Sequence, residues 1–170
     1  MFIEVNKIPP AGLEIDRALK LPPLPEGSGE AARVESARLL GSLRKTAADV
    51  EFRGKVQAVV ALTCSRCLAP FRLSLEAPCH RIFRPGPLGR PESEHELVEE
   101  DAALTPFDGI QLDLGEMALE QVDLAVPLKP LCQEMCRGIC PRCGADRNMQ
   151  PCDCPEESQE SIPLTSKITL

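Results

Sequence analysis

From Phe52 the apolar residues fall on every second position, Phe52, Val56, Ala58, Val60 and Leu62, with Arg53, Lys55 and Gln57 between them. The phase resumes at Phe71, where Phe71, Leu73, Leu75, Ala77, Cys79 and Phe83 alternate with Arg72, Ser74, Glu76, Pro78 and His80. Side chains two residues apart share one face of a strand, so each run predicts a half-buried β-strand. The short link Cys64-Ser65-Arg66-Cys67-Leu68-Ala69-Pro70 makes the pair a hairpin with a Cys-x-x-Cys turn at its tip. The outward parity places Arg53, Lys55 and Arg72 on one face, with Arg66 at the tip, which predicts a basic stripe.

The pattern is weaker on either side. Phe2–Val5 and Leu13–Ile15 suit short strands, and the Pro- and Gly-rich run 22–29 suits a loop. Residues 30–45 combine helix-forming composition with a position leading into the hairpin, and either a helix or a strand fits them. Ile110, Leu112 and Leu114 predict a third short strand. Asp113 followed by Glu116 resembles a capping box, which opens a helix with Met117, Ala118, Val122 and Ala125 on one face, ended by Pro127 and Pro130. The expected class is α+β: an antiparallel β-meander able to curl towards a barrel, one helix and a cysteine-rich zinc-knuckle tail. The expected division is a β-rich domain over 1–126, a cysteine-rich tail over 127–156 packed on the hairpin tip, and a flexible end over 157–170.

Composition narrows the function. With 170 residues the chain is too short for a large barrel enzyme. Five Phe and no Trp or Tyr exclude nucleic-acid binding on several aromatic platforms. The net charge of −7 hides a division: residues 44–90 hold nine bases and three acids, residues 91–160 four bases and seventeen acids. The acidic, proline-rich stretch 84–106 reads as a solvated loop. No basic segment leads into an apolar run near the start, and the apolar runs are far too short to span a membrane, so the expectation is a soluble cytoplasmic protein. Neither His80, on the outward parity, nor His95, in the acidic stretch, has a catalytic partner in the sequence, and phosphate-binding and nucleophile-elbow motifs are lacking. The chain reads as a non-enzyme.

Nine cysteines change the picture. In a reducing compartment, clustered thiols point to metal or redox chemistry before disulfides. Cys79 shares the inward parity of Leu75 and Ala77 and reads as core. The other eight are Cys64 and Cys67, Cys132 and Cys136, and Cys140, Cys143, Cys152 and Cys154. Cys140-Pro141-Arg142-Cys143-Gly144 is a zinc knuckle in form: two thiolates three apart grip one ion on a tight turn that Gly permits. Structural zinc takes four thiolates, so eight cysteines make two sites. The preferred partition joins Cys64, Cys67, Cys132 and Cys136 in one and Cys140, Cys143, Cys152 and Cys154 in the other; a partition joining Cys140 and Cys143 to Cys64 and Cys67 also fits. The spacing of Cys136, Cys140 and Cys143 also matches a radical-type iron–sulfur motif, but that motif needs a large barrel behind it. A redox pair normally sits at a helix N-terminus, where this hairpin tip is not.

The element around Cys64–Leu68 with Pro70-Phe71, the run Leu131-Cys132 through Cys136-Arg137-Gly138-Ile139-Cys140 to Asn148, and Cys152-Asp153-Cys154 together resemble the YceD family, the large ribosomal RNA subunit accumulation proteins. The resemblance covers roughly Val34 to Cys154. It implies a bacterial or organellar, non-enzymatic ribosome biogenesis factor on which large-subunit (23S) rRNA accumulation depends. Some members lack the distal four cysteines, and this implies the grouping of Cys64 and Cys67 with Cys132 and Cys136. The expected partners are large-subunit rRNA or a pre-ribosomal particle, met through Arg53, Lys55, Arg66 and Arg72, or a basic ribosomal protein met by the acidic half. An adaptor that never touches RNA and a redox or iron–sulfur enzyme are the alternatives.

Overall fold

A computed structural model describes residues 1–25, 32–47, 49–86 and 104–154. The predicted hairpin is its centre. Strands β4 (Asp49–Thr63) and β5 (Pro70–Pro85) pair antiparallel over their whole length, from Val50 opposite Phe83 to Thr63 opposite Pro70. Every even residue of β4 from Val50 is buried except Gly54, as the alternation requires. Within the ambivalent segment 30–45, the residues from Arg33 on form a long strand, β3 (Arg33–Thr46), antiparallel to β4. Tertiary pairing overrides its helical composition: Ala37, Leu39 and Leu43 are buried against β4 at the strand period. Strand β2 (Leu13–Leu19) pairs with β3 and runs longer than the sequence suggests.

The sheet order is β2-β3-β4-β5-β6, with β6 spanning Leu104–Phe107. This is an open meander: β2 and β6 are its two edges and do not pair, so the barrel expectation is not met. The all-antiparallel expectation also fails at one edge, because β6 runs parallel to β5, Ile82 opposite Leu104. The expectations of a solvated loop over 84–106 and of a flexible end over 157–170 fall largely or wholly outside the described residues, as does His95.

A second, two-stranded sheet joins β1 (Phe2–Glu4) to β7 (Gln111–Asp113). The helix α1 (Leu114–Ala125) follows directly. Its N-cap is Asp113, whose carboxylate accepts from the N–H groups of Gly115 at 2.8 Å and Glu116 at 3.2 Å. Met117, Ala118 and Val122 are buried in one core with Leu39, Leu43, Phe52 and Val56 of the sheet. One close approach shapes the middle of the sheet: Gly41 faces Gly54 across β3 and β4, and the Phe52 ring lies against both. A Cβ on Gly54 would meet the Leu40 carbonyl oxygen, the Gly41 Cα at 2.7 Å and Phe52 Cζ at 2.9 Å. Among the described residues no helix is long and apolar enough to cross a membrane.

Candidate metal centres

The turn at the hairpin tip brings Cys64 and Cys67 together. Cys64 N–H donates to the Ala69 carbonyl at 2.9 Å, and Leu68 N–H donates back to the Cys64 carbonyl at 3.0 Å. That second bond requires a left-handed residue after the second cysteine. In the other knuckle Gly144 fills this place at φ 72°, its N–H reaching the Cys140 carbonyl at 2.9 Å. Here Leu68 does so at φ 59°, against the Cβ strain that makes glycine the usual choice. The missing glycine therefore does not alter the turn.

After α1 the chain returns to this tip. Ser65 N–H binds the Pro130 carbonyl at 2.8 Å, and Ile139 N–H binds the Arg66 carbonyl at 3.1 Å. These contacts set Cys132 and Cys136 against Cys64 and Cys67: Cys64 Sγ lies 3.7 Å from Cys136 Sγ, and Cys67 Sγ lies 3.6 Å from Cys132 Sγ. Cys140, Cys143, Cys152 and Cys154 form a second set, and within each set all four sulfurs lie within 4.8 Å of one another. Of the two partitions the sequence allows, the structure brings together the one preferred there. Each set could hold a metal ion.

Electrostatics tell the same story for both sets. Burial opposes the Cys64 thiolate, yet N–H groups of Cys67, Cys132 and Arg66 outweigh it and bring the thiol down to about 6. N–H groups of Cys143 and Arg142 bring Cys140 to about 6 as well. One thiol in each set resists strongly: Cys132 is pushed up to about 12 by burial and by the neighbouring sulfurs, and Cys154 to about 12 by Cys143, burial and Cys140. All four sulfurs of a set can be negative together only with a cation among them. Arg147 supplies part of one, its pKa raised by Cys152 and Cys140. Cys79 lies apart, buried in the core, and burial pushes its thiol up to about 11.

The basic stripe is real in position but not bare. Arg53 binds Glu51 at 2.6 Å, Lys55 binds Glu76 at 2.9 Å, and Arg72 binds Glu35 at 2.8 Å. Glu51 and Glu76 share the outward parity of the bases and were legible in the alternation. Glu35 was not: it reaches Arg72 from the register shift between Val34 and Ser36. Arg66 has no carboxylate partner among the described residues, and its Nη1 donates to the Cys136 carbonyl at 2.9 Å. His80 Nε2 lies 2.8 Å from Glu51 on the surface. One residue that spacing arguments missed is Asn148, whose side chain contacts Cys136, Arg137 and Asp146.

An open meander with one helix, carrying two four-thiolate sets on knuckle turns, defines a cysteine-cluster β-protein. A family description, "Large ribosomal RNA subunit accumulation protein YceD", matches residues 52–163, and the chain belongs to this YceD family. An uncharacterized protein of Mycobacterium bovis is 31% identical over 99 residues, covering 58% of this chain and 45% of the relative. One from Mycobacterium leprae is 29% identical over 104 residues, covering 61% and 45%. An Arabidopsis thaliana chloroplastic protein named YCED homolog 1, a large ribosomal RNA subunit accumulation protein, is 23% identical over 170 aligned positions, covering 88% and 50%. The chain thus spans about half the length of these curated relatives. No solved structure matches it significantly.

Proposed function

We propose that the chain is a non-enzymatic, cytoplasmic ribosome biogenesis factor that supports accumulation of large-subunit rRNA, and that two structural zinc ions hold its RNA-facing end in shape. The family match over residues 52–163 carries the role. The sulfur spacing supports zinc: four thiolates about 2.3 Å from one ion stand about 3.8 Å apart along each tetrahedral edge. The Sγ separations of 3.6 Å and 3.7 Å fit that edge. Cys64, Cys67, Cys132 and Cys136 would hold one ion, and Cys140, Cys143, Cys152 and Cys154 the other. Bound there, zinc supplies no redox chemistry; it neutralises the sulfurs and fixes the turns. An iron–sulfur cluster would set its own inorganic atoms between the sulfurs and needs more room.

The surface proposed to meet rRNA phosphates, or a pre-ribosomal particle, is Arg53, Lys55, Arg66 and Arg72. The ion pairs on this face do not disqualify it. The side chains of Arg53 and Arg72 are 69% and 74% exposed, and exposed pairs are worth about 0–1 kcal/mol, so phosphates can displace the carboxylates. Changing Arg53, Arg66 and Arg72 together to Glu is expected to abolish salt-sensitive rRNA binding, each lost phosphate contact reducing the salt slope by about 1. Unchanged binding would remove this surface from consideration. A second reading, an adaptor that binds a ribosomal protein without touching RNA, is favoured by the exposed Leu68, Met135 and Met149 near the cysteine sets. RNA crosslinking in cells separates the two readings.

A further inference from the structure

The two cysteine sets are not independent in space. Only Arg137, Gly138 and Ile139 separate Cys136 of the first from Cys140 of the second. This spacer is held from both sides: Ile139 N–H binds the Arg66 carbonyl at 3.1 Å, and the Gly138 carbonyl accepts from Arg147 N–H at 2.9 Å. Gly138 itself, at φ 71°, has no room for a Cβ, which would stand 2.9 Å from the Arg66 carbonyl oxygen.

Asn148 completes the connection. It belongs to the loop between Cys143 and Cys152, so the second set positions it. Its backbone N–H and its Nδ2 both reach Asp146 Oδ1, at 2.8 Å and 2.7 Å, which fixes the side chain in that loop. The remaining capacity of its amide goes to the first set. Nδ2 also donates to Cys136 Sγ at 3.4 Å, and Oδ1 accepts from the Arg137 N–H at 2.8 Å and from Gln133 Nε2 at 3.4 Å. An amide has two N–H hydrogens and an oxygen with two lone pairs, and here all four are used. An N–H aimed at a thiolate stabilises its charged form and orients it, as outer-shell partners of metal ligands do.

We propose that Asn148 couples the two cysteine sets: it is a positioning residue that the second set presents to Cys136, so that filling either set with metal raises the affinity of the other. The inference rests on the metal reading above. Filling the second set orders the loop that carries Asn148, and the first set then binds without meeting that ordering cost. Linkage makes the effect equal in both directions.

The test is a titration of the reduced, metal-free full chain with zinc against a chromophoric chelator, repeated with cobalt to read the thiolate-to-metal charge-transfer band. Wild type is expected to take two zinc ions. Asn148→Ala keeps all eight thiols and should still take two, with the first set weakened by about 10- to 100-fold and its cobalt band shifted. The double variant Cys152→Ser/Cys154→Ser should weaken the first set similarly, and adding Asn148→Ala to it should cost little more, since both remove the same contact. Asn148→Asp retains an acceptor for the Arg137 N–H but sets a carboxylate against Cys136, and should be no better than Ala. Rescue by Asp would overturn the proposal and leave Asn148 a backbone support only. Two zinc ions bound by Asn148→Ala, or one by the Cys152→Ser/Cys154→Ser variant, with an unchanged first-set affinity would overturn the coupling alone, whereas a wild type that takes no zinc would overturn the metal reading and the coupling with it.

Discussion

Leu68 holds a backbone conformation that its own side chain opposes. Its φ is 59° and its side chain is 62% exposed, so packing offsets little of the strain. Relief of that strain is worth about 1–2 kcal/mol, and Leu68→Gly is expected to raise stability towards denaturant by about 1 kcal/mol. A loss of stability would mean that the leucine side chain makes a contribution its exposure hides. Cys79 gives a pH prediction. Burial raises its thiol from 9.0 to about 11. A raised acid holds its proton in the folded state, so its contribution to stability is complete below about pH 9 and declines as pH rises towards about 11. Cys79 should therefore resist alkylation at pH 8 in the native chain and react once the chain unfolds, as mass spectrometry of the labelled protein would show. The grouping of eight cysteines was legible from their clustering, and the core place of the ninth from parity. The left-handed Leu68 was not, because local preference points to glycine and only the tertiary closure of the knuckle forces the angle. Asn148 was hidden for the same reason: its partners lie 11 and 12 residues back along the chain and meet it only through the turn between.

At the level of elements, the period-2 pattern carried the hairpin and its inward face because both strands bury one side. It did not decide β3, whose Ala, Arg and Leu suit a helix until β4 offers a partner. It was silent on β6: four residues, Leu104–Phe107, are too few to show a period, and their parallel pairing with β5 is a tertiary contact. The glycine pair in the sheet was visible as Gly41 and Gly54 but not as a contact. Its consequence is sharp. Gly54→Ala places a methyl group against backbone atoms of β3 that cannot yield, and should destabilise the fold by about 1–3 kcal/mol or more in chemical denaturation. Gly86→Ala, where a Cβ meets nothing within 4 Å, is the matched control and should be nearly neutral.

Across the whole molecule, the apolar core and the thiol sets are separate. The core runs through the sheet and α1, while Cys64, Cys67 and Cys136 form their own buried cluster with Leu131, Ala69 and Phe71 against it. A strong chelator is therefore expected to loosen residues 127–154, read as faster amide exchange and new protease cleavage there, while the β-sheet circular dichroism persists. Loss of the sheet signal on chelation would show that the thiol sets hold up the core. Acidification should mimic the chelator, because protons compete with metal for all four thiolates of a set. The net charge told little at this scale. Bases and acids far apart along the chain meet across strands, as Arg72 meets Glu35 and Arg84 meets Asp49 at 2.7 Å.

The two thiol sets also differ in the length of chain each must close. Cys67 and Cys132 are 65 residues apart, whereas the second set lies wholly within 140–154. In loop-closure terms, joining a span of that length costs about 2 kcal/mol more than joining the roughly ten residues between Cys143 and Cys152. The distal knuckle can therefore close as a local event in an otherwise unfolded chain, whereas the proximal one must wait until the hairpin has formed and α1 has brought the chain back to its tip. Closure of the proximal set then depends on the whole path from β4 to the tail, and the distal set does not.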